Sequence, residues 1–148
     1  MNRAALLLAG ALVMVNPVGA QPRCTPTKPD ALGPFYTPNA PERSRTGQGL
    51  VVAGTVRSTS NCQPVPGAQL EWWSANPRGD YDDQHRATQR ADAEGRYRYE
   101  TDAPGRYPGR PPHLHLRITA PGHRLLVTQL YPRPDQTSLE VDLILTAE

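Results

Sequence analysis

Beyond residue 49 the chain is cut by glycine and proline into short runs that alternate apolar and polar residues, and no run carries a helical period. The runs are LVVAGTVRS (50–58), AQLEWWSAN (68–76), RYRYET (96–101), HLHLRITA (113–120), RLLVTQLYP (124–132) and LEVDLILTA (139–147). Each reads as a strand. Between them lie the turn-rich STSNCQPVPG, the polar stretch 77–95, read as a long loop with one short strand at most, and the loop DAPGRYPGRPP. Residues 21–49 are rich in Pro, Thr and Gly and read as an extended N-terminal arm. Short strands at this spacing predict an all-β fold, an antiparallel β-sandwich of immunoglobulin or transthyretin type, with long loops. The 17 prolines and 12 glycines in 148 residues agree with a loop-rich β protein, and the length suits one domain, residues 50–148, behind the arm. A net charge of +2 with no basic stripe argues against nucleic acid as a partner.

The first twenty residues have a different character. Arg3 precedes the apolar run AALLLAGALVMV (4–15), and the small residues Val18, Gly19 and Ala20 fit cleavage before Gln21. The run is shorter than the ~20 residues a spanning helix needs. Residues 1–20 are therefore expected to be a cleaved signal peptide, leaving a periplasmic or secreted protein with no membrane attachment. Export bears on the two cysteines, Cys24 and Cys62. In an oxidising compartment an even pair is a disulfide candidate, here one that ties the arm to a loop of the domain.

The chemistry is concentrated in GRYPGRPPHLHL (105–116). On a strand, residues two apart share a face, so His113 and His115 project together and Leu114 and Leu116 project oppositely. Two ligands on one metal suit that geometry, but an HxH pair alone also fits ordinary packing. Arg117 falls on the histidine face, so the strand must leave the site before it or Arg117 must reach solvent. Tyr107 lies in a Pro/Gly loop six positions before His113, and Tyr81 follows a strand in ANPRGDY. A phenol with a pKa near 10 ionises at neutral pH only on a strong Lewis acid. Zinc more often takes Cys, His or carboxylate, and a two-His, one-carboxylate ferrous site needs an acid that is absent between Tyr107 and Gln129. Two tyrosines with two histidines favour Fe(III).

These motifs resemble the intradiol ring-cleavage dioxygenases, such as protocatechuate 3,4-dioxygenase and catechol 1,2-dioxygenase. The resemblance runs in order through GPFYTPNAPERS (33–44), LVVAGTV, NCQPVPGAQLEWWSANPRGDY, DAEGRYRYETDAPGRYPGRPPHLHL and LLVTQLYP (125–132). It implies that Tyr81, Tyr107, His113 and His115 hold one mononuclear non-haem Fe(III). It also implies that Arg110 of RPPH lies beside the substrate and that Gln129 of VTQLY lines the same pocket. Better-known members are longer and have more residues between the second tyrosine and the arginine; here only Pro108 and Gly109 intervene. The implied reaction is cleavage of a catechol-type diol by O₂ to a cis,cis-muconate-type diacid. Tyr107 would leave the metal to act as a base, and Arg110 would stabilise charge developing on the ring.

A rival reading is a non-catalytic transthyretin-like or carboxypeptidase-regulatory-like binding module, which shares the turn and strand pattern. Such a module has no reason to carry Tyr81, Arg110, His113 and His115 together. Copper binding through HxH is disfavoured because the only two methionines lie in the leader. Trp72 and Trp73 fall on opposite strand faces, one for the core and one for a loop or the pocket. Tyr97 and Tyr99 read as core, Tyr36 and Tyr131 as packing by default with a place near the pocket left open, and His85 and His123 as solvated loop residues. The sequence leaves the oligomeric state open, a homo-oligomer included.

Overall fold

The computed structural model describes residues 24–106 and 108–148; the expected leader, the first residues after it, and Tyr107 lie outside the described residues. Among the described residues all regular structure is β: β1 (Leu50–Ser58), β2 (Gln69–Ala75), β3 (Tyr81–Arg90), β4 (Arg96–Thr101), β5 (Leu114–Thr119), β6 (Leu126–Leu130), β7 (Ser138–Glu140) and β8 (Leu143–Leu145). They form two sheets packed as a sandwich. One has the order β4-β1-β7, with β8 also paired to β1, and the other β3-β2-β5-β6.

The period-two patterns fill the space between the sheets. Leu50, Val52 and Val56 of β1 and Tyr97 and Tyr99 of β4 point inward from one sheet; Leu70, Trp72, Leu114, Leu116 and Ile118 meet them from the other. At the centre Trp72 stacks on Tyr99 at 4.3 Å and tilts against Tyr97 at 5.9 Å. Trp73 faces away from this core, toward the histidines.

Three features depart from the sequence reading. The polar stretch 77–95 holds a ten-residue strand, β3. Two of its polar side chains are satisfied by the arm: Arg86 Nη1 donates to the Phe35 carbonyl at 2.6 Å and Thr88 Oγ1 to the Ala40 carbonyl at 2.9 Å. The stretch 139–147 is two three-residue strands, β7 and β8, and both run parallel to β1 while the other strand pairings are antiparallel. The chain bends between them because the Val141 carbonyl turns onto Gly54, where an added Cβ would sit 1.8 Å from that oxygen. Tyr97 Oη donates to the same carbonyl at 2.6 Å, and Asp142 accepts from Thr55 N and Arg57 Nε. Finally, β5 starts at Leu114, so His113 is the last loop residue before it.

The arm is ordered along its described length. It pairs with β8 through Thr27 N to the Ile144 carbonyl and with β6 through Asp30 N to the Val127 carbonyl. It then crosses to β3, where Thr88 N donates to the Pro41 carbonyl and Arg43 N to the Thr88 carbonyl. The two open edges of the second sheet, β3 and β6, are thereby occupied. A disulfide joins Cys24 to Cys62, with Cα atoms 5.3 Å apart, at the start of this path.

Candidate metal centre

Three side chains meet on the outer face of the second sheet. β2 pairs with β3 on one side and β5 on the other, which sets Ala75 opposite Tyr81 and Trp73 opposite His115. A register shift between Trp73 and Ala75 kinks β2 at this point, as a bulge does where a side chain must be re-aimed. Tyr81 Oη lies 3.0 Å from His115 Nε2 and 3.3 Å from His113 Nε2, and the two Nε2 atoms are 3.0 Å apart. Donors bonded to one ion at about 2.1 Å stand about 3.0–3.4 Å from each other at right or tetrahedral angles. The triangle has the size of one face of a metal's coordination shell.

The tautomers also fit. His113 Nδ1 is 2.7 Å from the Pro111 carbonyl, so that nitrogen donates to the carbonyl and Nε2 is the nitrogen turned toward Tyr81 and His115. His115 is buried, and burial first, then the charges of His113 and Arg110, push its pKa down to about 4. It is neutral at physiological pH with a lone pair to give. Its Nδ1 makes no well-formed hydrogen bond among the described residues; the Ala31 carbonyl, which favours the protonated ring, accepts from Gln129 Nε2 at 2.6 Å. The ring is instead fixed by packing, parallel to Trp73 at 4.8 Å, with Gly33 against its edge. A Cβ on Gly33 would stand 3.2 Å from His115 Cε1, and its φ of 73° already favours glycine. Phe35 stacks on Tyr81 at 4.2 Å. Among the described residues no group of three or more His, Cys, Asp or Glu offers a rival metal site. The donor set, one phenol and two imidazoles, suits a hard, Lewis-acidic ion.

Arg110 lies beside this triangle. Its Nη2 donates to Gln129 Oε1 at 2.6 Å and to Tyr131 Oη at 3.2 Å. Gln129 faces His115 across β5 and β6. Arg106, Pro108, Gly109, Arg110 and Pro111 line an open pocket in the loop between β4 and β5. Tyr107, the other tyrosine implied as a ligand, lies outside the described residues. The structure thus brings together Tyr81, His113, His115, Arg110 and Gln129.

Several contributors were missed or misread in the sequence. Tyr131, for which packing is the default and a place near the pocket the alternative, sits in the polar chain around Arg110; its place two residues after Gln129, just past β6, was the available signal. Arg117 neither ends the strand nor faces bulk water alone: it pairs with Glu71, directly opposite on β2, whose other oxygen accepts from Tyr36 Oη at 2.9 Å. His85, taken as solvated, is buried between two carboxylates, with Nδ1 2.7 Å from Asp82 Oδ1 and Nε2 2.9 Å from Asp102 Oδ2. This link joins β3, which begins at Tyr81, to the loop that carries Arg110.

Burial opposes a charged His85, but its hydrogen bonds to Asp102 and Asp82 outweigh that and raise its pKa above the usual 6.5. Asp82 and Asp102 are likewise held below their usual value despite burial. The His85 contribution to stability is full below pH 6.5 and is lost as pH rises through the raised value; the aspartate contribution is lost as pH falls below about 4. We expect His85→Ala to destabilise the fold by about 2–3 kcal/mol near pH 6. The difference from wild type should shrink as pH rises, and urea titrations at several pH values measure it.

A family model described as dioxygenase matches residues 33–148. The chain is 31% identical over 144 residues to 6-chlorohydroxyquinol 1,2-dioxygenase of Cupriavidus pinatubonensis, covering 74% of this chain and 52% of that protein. It is 34% identical over 142 residues to hydroxyquinol 1,2-dioxygenase of Rhodococcus opacus, covering 74% and 47%. The chain spans about half the length of the curated relatives it matches. Among solved structures, the dioxygenase domain of a dioxygenase and carbohydrate-binding protein fusion from Streptomyces sp. SirexAA-E superimposes with a TM-score of 0.76 at 28% identity, over 84% of this chain and 100% of that one.

Proposed function

We propose the activity of this protein from one premise: the chain belongs to the intradiol ring-cleavage dioxygenase family. It binds one non-haem Fe(III) through Tyr81, Tyr107, His113 and His115 and cleaves a catechol-type diol with O₂ to a cis,cis-muconate-type diacid. The observation that carries this reading is the meeting of Tyr81 Oη, His113 Nε2 and His115 Nε2 within 3.0–3.3 Å of one another. Ferric iron, when bound there, supplies a Lewis acid for the catechol oxygens and readies the ring for O₂.

The chain's own residues have separable tasks. Tyr107 accepts a proton from the incoming diol. Arg110, held by Gln129, sets a fixed positive charge against the ring as electron density builds on it. Trp73, Gly33 and Phe35 wall the histidine and tyrosine rings and limit water. A non-catalytic binding module would have no use for a buried imidazole pair aimed at a phenol. The Cys24–Cys62 link supports an exported location, periplasmic or secreted, where such a bond persists. The partners are then the aromatic diol and O₂.

The test is O₂ uptake by iron-loaded protein against catechol, hydroxyquinol, protocatechuate and a chlorocatechol, with product identification. The expected result is a coloured protein that takes up one O₂ per diacid formed. An iron-loaded protein that consumes no O₂ with any of them rules the activity out.

A further inference from the structure

Around Arg110 two opposite charges share one phenol. Tyr131 Oη accepts from Arg110 Nη2 at 3.2 Å and donates to Asp30 Oδ2 at 2.8 Å. The Tyr131 ring lies 5.9 Å from the ring of His113, and the Asp30 charge acts on His115. Asp30 is carried by the arm and held in place on both sides. Its own N–H donates to the Val127 carbonyl, its Oδ1 accepts from Ala31 N at 2.7 Å, and the Ala31 carbonyl accepts from Gln129 Nε2. Asp30 and Tyr131 are both exposed, so a ring substituent projecting from the site can reach them. The charged side chains that act on Asp30 are Arg110 and Lys28.

Resting on the activity proposed above, we infer that Asp30 sets which catechols the site accepts: it disfavours rings bearing a carboxylate and favours neutral rings, above all those with a hydroxyl substituent. Arg110 alone would draw an anionic substituent to the mouth of the site. Asp30, one hydroxyl away, cancels that attraction and repels a second carboxylate, and its free acceptor capacity suits an added hydroxyl donor. Hydroxyquinol has that donor; protocatechuate has the repelled carboxylate.

The experiment is steady-state kcat/KM on catechol, hydroxyquinol and protocatechuate for wild type, Asp30→Asn and Asp30→Glu. A parallel measurement is binding of each diol to the ferric protein, read from the visible band. Asp30→Asn should raise the protocatechuate-to-catechol ratio about tenfold in both measurements and lower the preference for hydroxyquinol. Asp30→Glu should keep the wild-type ratio. Added salt should narrow the wild-type discrimination, because the charges are exposed. A ratio unchanged within about twofold in Asp30→Asn, with catechol still cleaved, overturns the role of Asp30 and leaves the activity standing. Absence of cleavage and binding for every diol in wild type overturns the activity, and the inference with it.

Discussion

His113→Ala or His115→Ala is expected to yield a protein without iron, without visible colour and without ring cleavage, whereas Arg110→Ala keeps iron and colour but loses about 10²–10³ in turnover. The asymmetry follows from where the atoms point. Each imidazole supplies one corner of the triangle with Tyr81 Oη, and removing a corner leaves a site with one fewer donor and a gap in a buried face. Arg110 is a cation whose Nη2 points to Gln129 and Tyr131, so it gives nothing to a metal. In the proposed reaction its value lies in a charge placed before the reaction begins. Tyr81→Phe should behave differently again, with a weaker visible band because one phenolate-to-iron transition is gone. Iron analysis, the visible spectrum and diacid formation on the same preparations separate these cases. Arg110→Ala cleaving at near the wild-type rate would remove Arg110 from the mechanism.

Opening the Cys24–Cys62 bond is the second large effect. The bond closes a segment of 38 residues, and loop-closure entropy of that size corresponds to about 4 kcal/mol, less any native strain. For a domain of this length that is a fall in melting temperature of more than about 10 °C. The consequence should extend beyond stability. The same arm brings Asp30, Gly33 and Phe35 over the site, so fraying from its N-terminal end loosens the wall against His115 and Tyr81. Cys62→Ser, or reduction of the wild type, is therefore expected to lower kcat/KM at temperatures well below unfolding. Calorimetry and O₂ uptake on oxidised and reduced protein test both parts. Equal melting temperatures would show that the arm is held by its backbone pairing with β8, β6 and β3 alone.

What could be read from the sequence was what local periodicity controls. The alternation in LVVAGTVRS and RYRYET gave the strands Leu50–Ser58 and Arg96–Thr101 at their observed limits, because each alternating run is short, bounded by turns and buried on one side. The same alternation set His113 and His115 on one face and Leu114 and Leu116 on the other, and it separated Trp72 from Trp73. What it missed is non-local. β3 is polar in sequence because the arm, not apolar packing alone, satisfies Arg86 and Thr88, and no window around residue 86 contains the carbonyl of Phe35. His85 is buried because Asp102 arrives from the loop after β4, and Arg117 is tolerated because Glu71 stands opposite it on β2. The parallel placement of β7 and β8 on β1 depends on Gly54 leaving room for a carbonyl from residue 141. The placement of Tyr81 is the clearest case. Its hydroxyl meets nitrogens 32 and 34 residues away only because the sheet order β3-β2-β5 and the kink in β2 bring them together. Side-chain direction along a strand is a property of the local backbone; which strands become neighbours, and so which donors share a point in space, is decided by the packing of the whole sandwich.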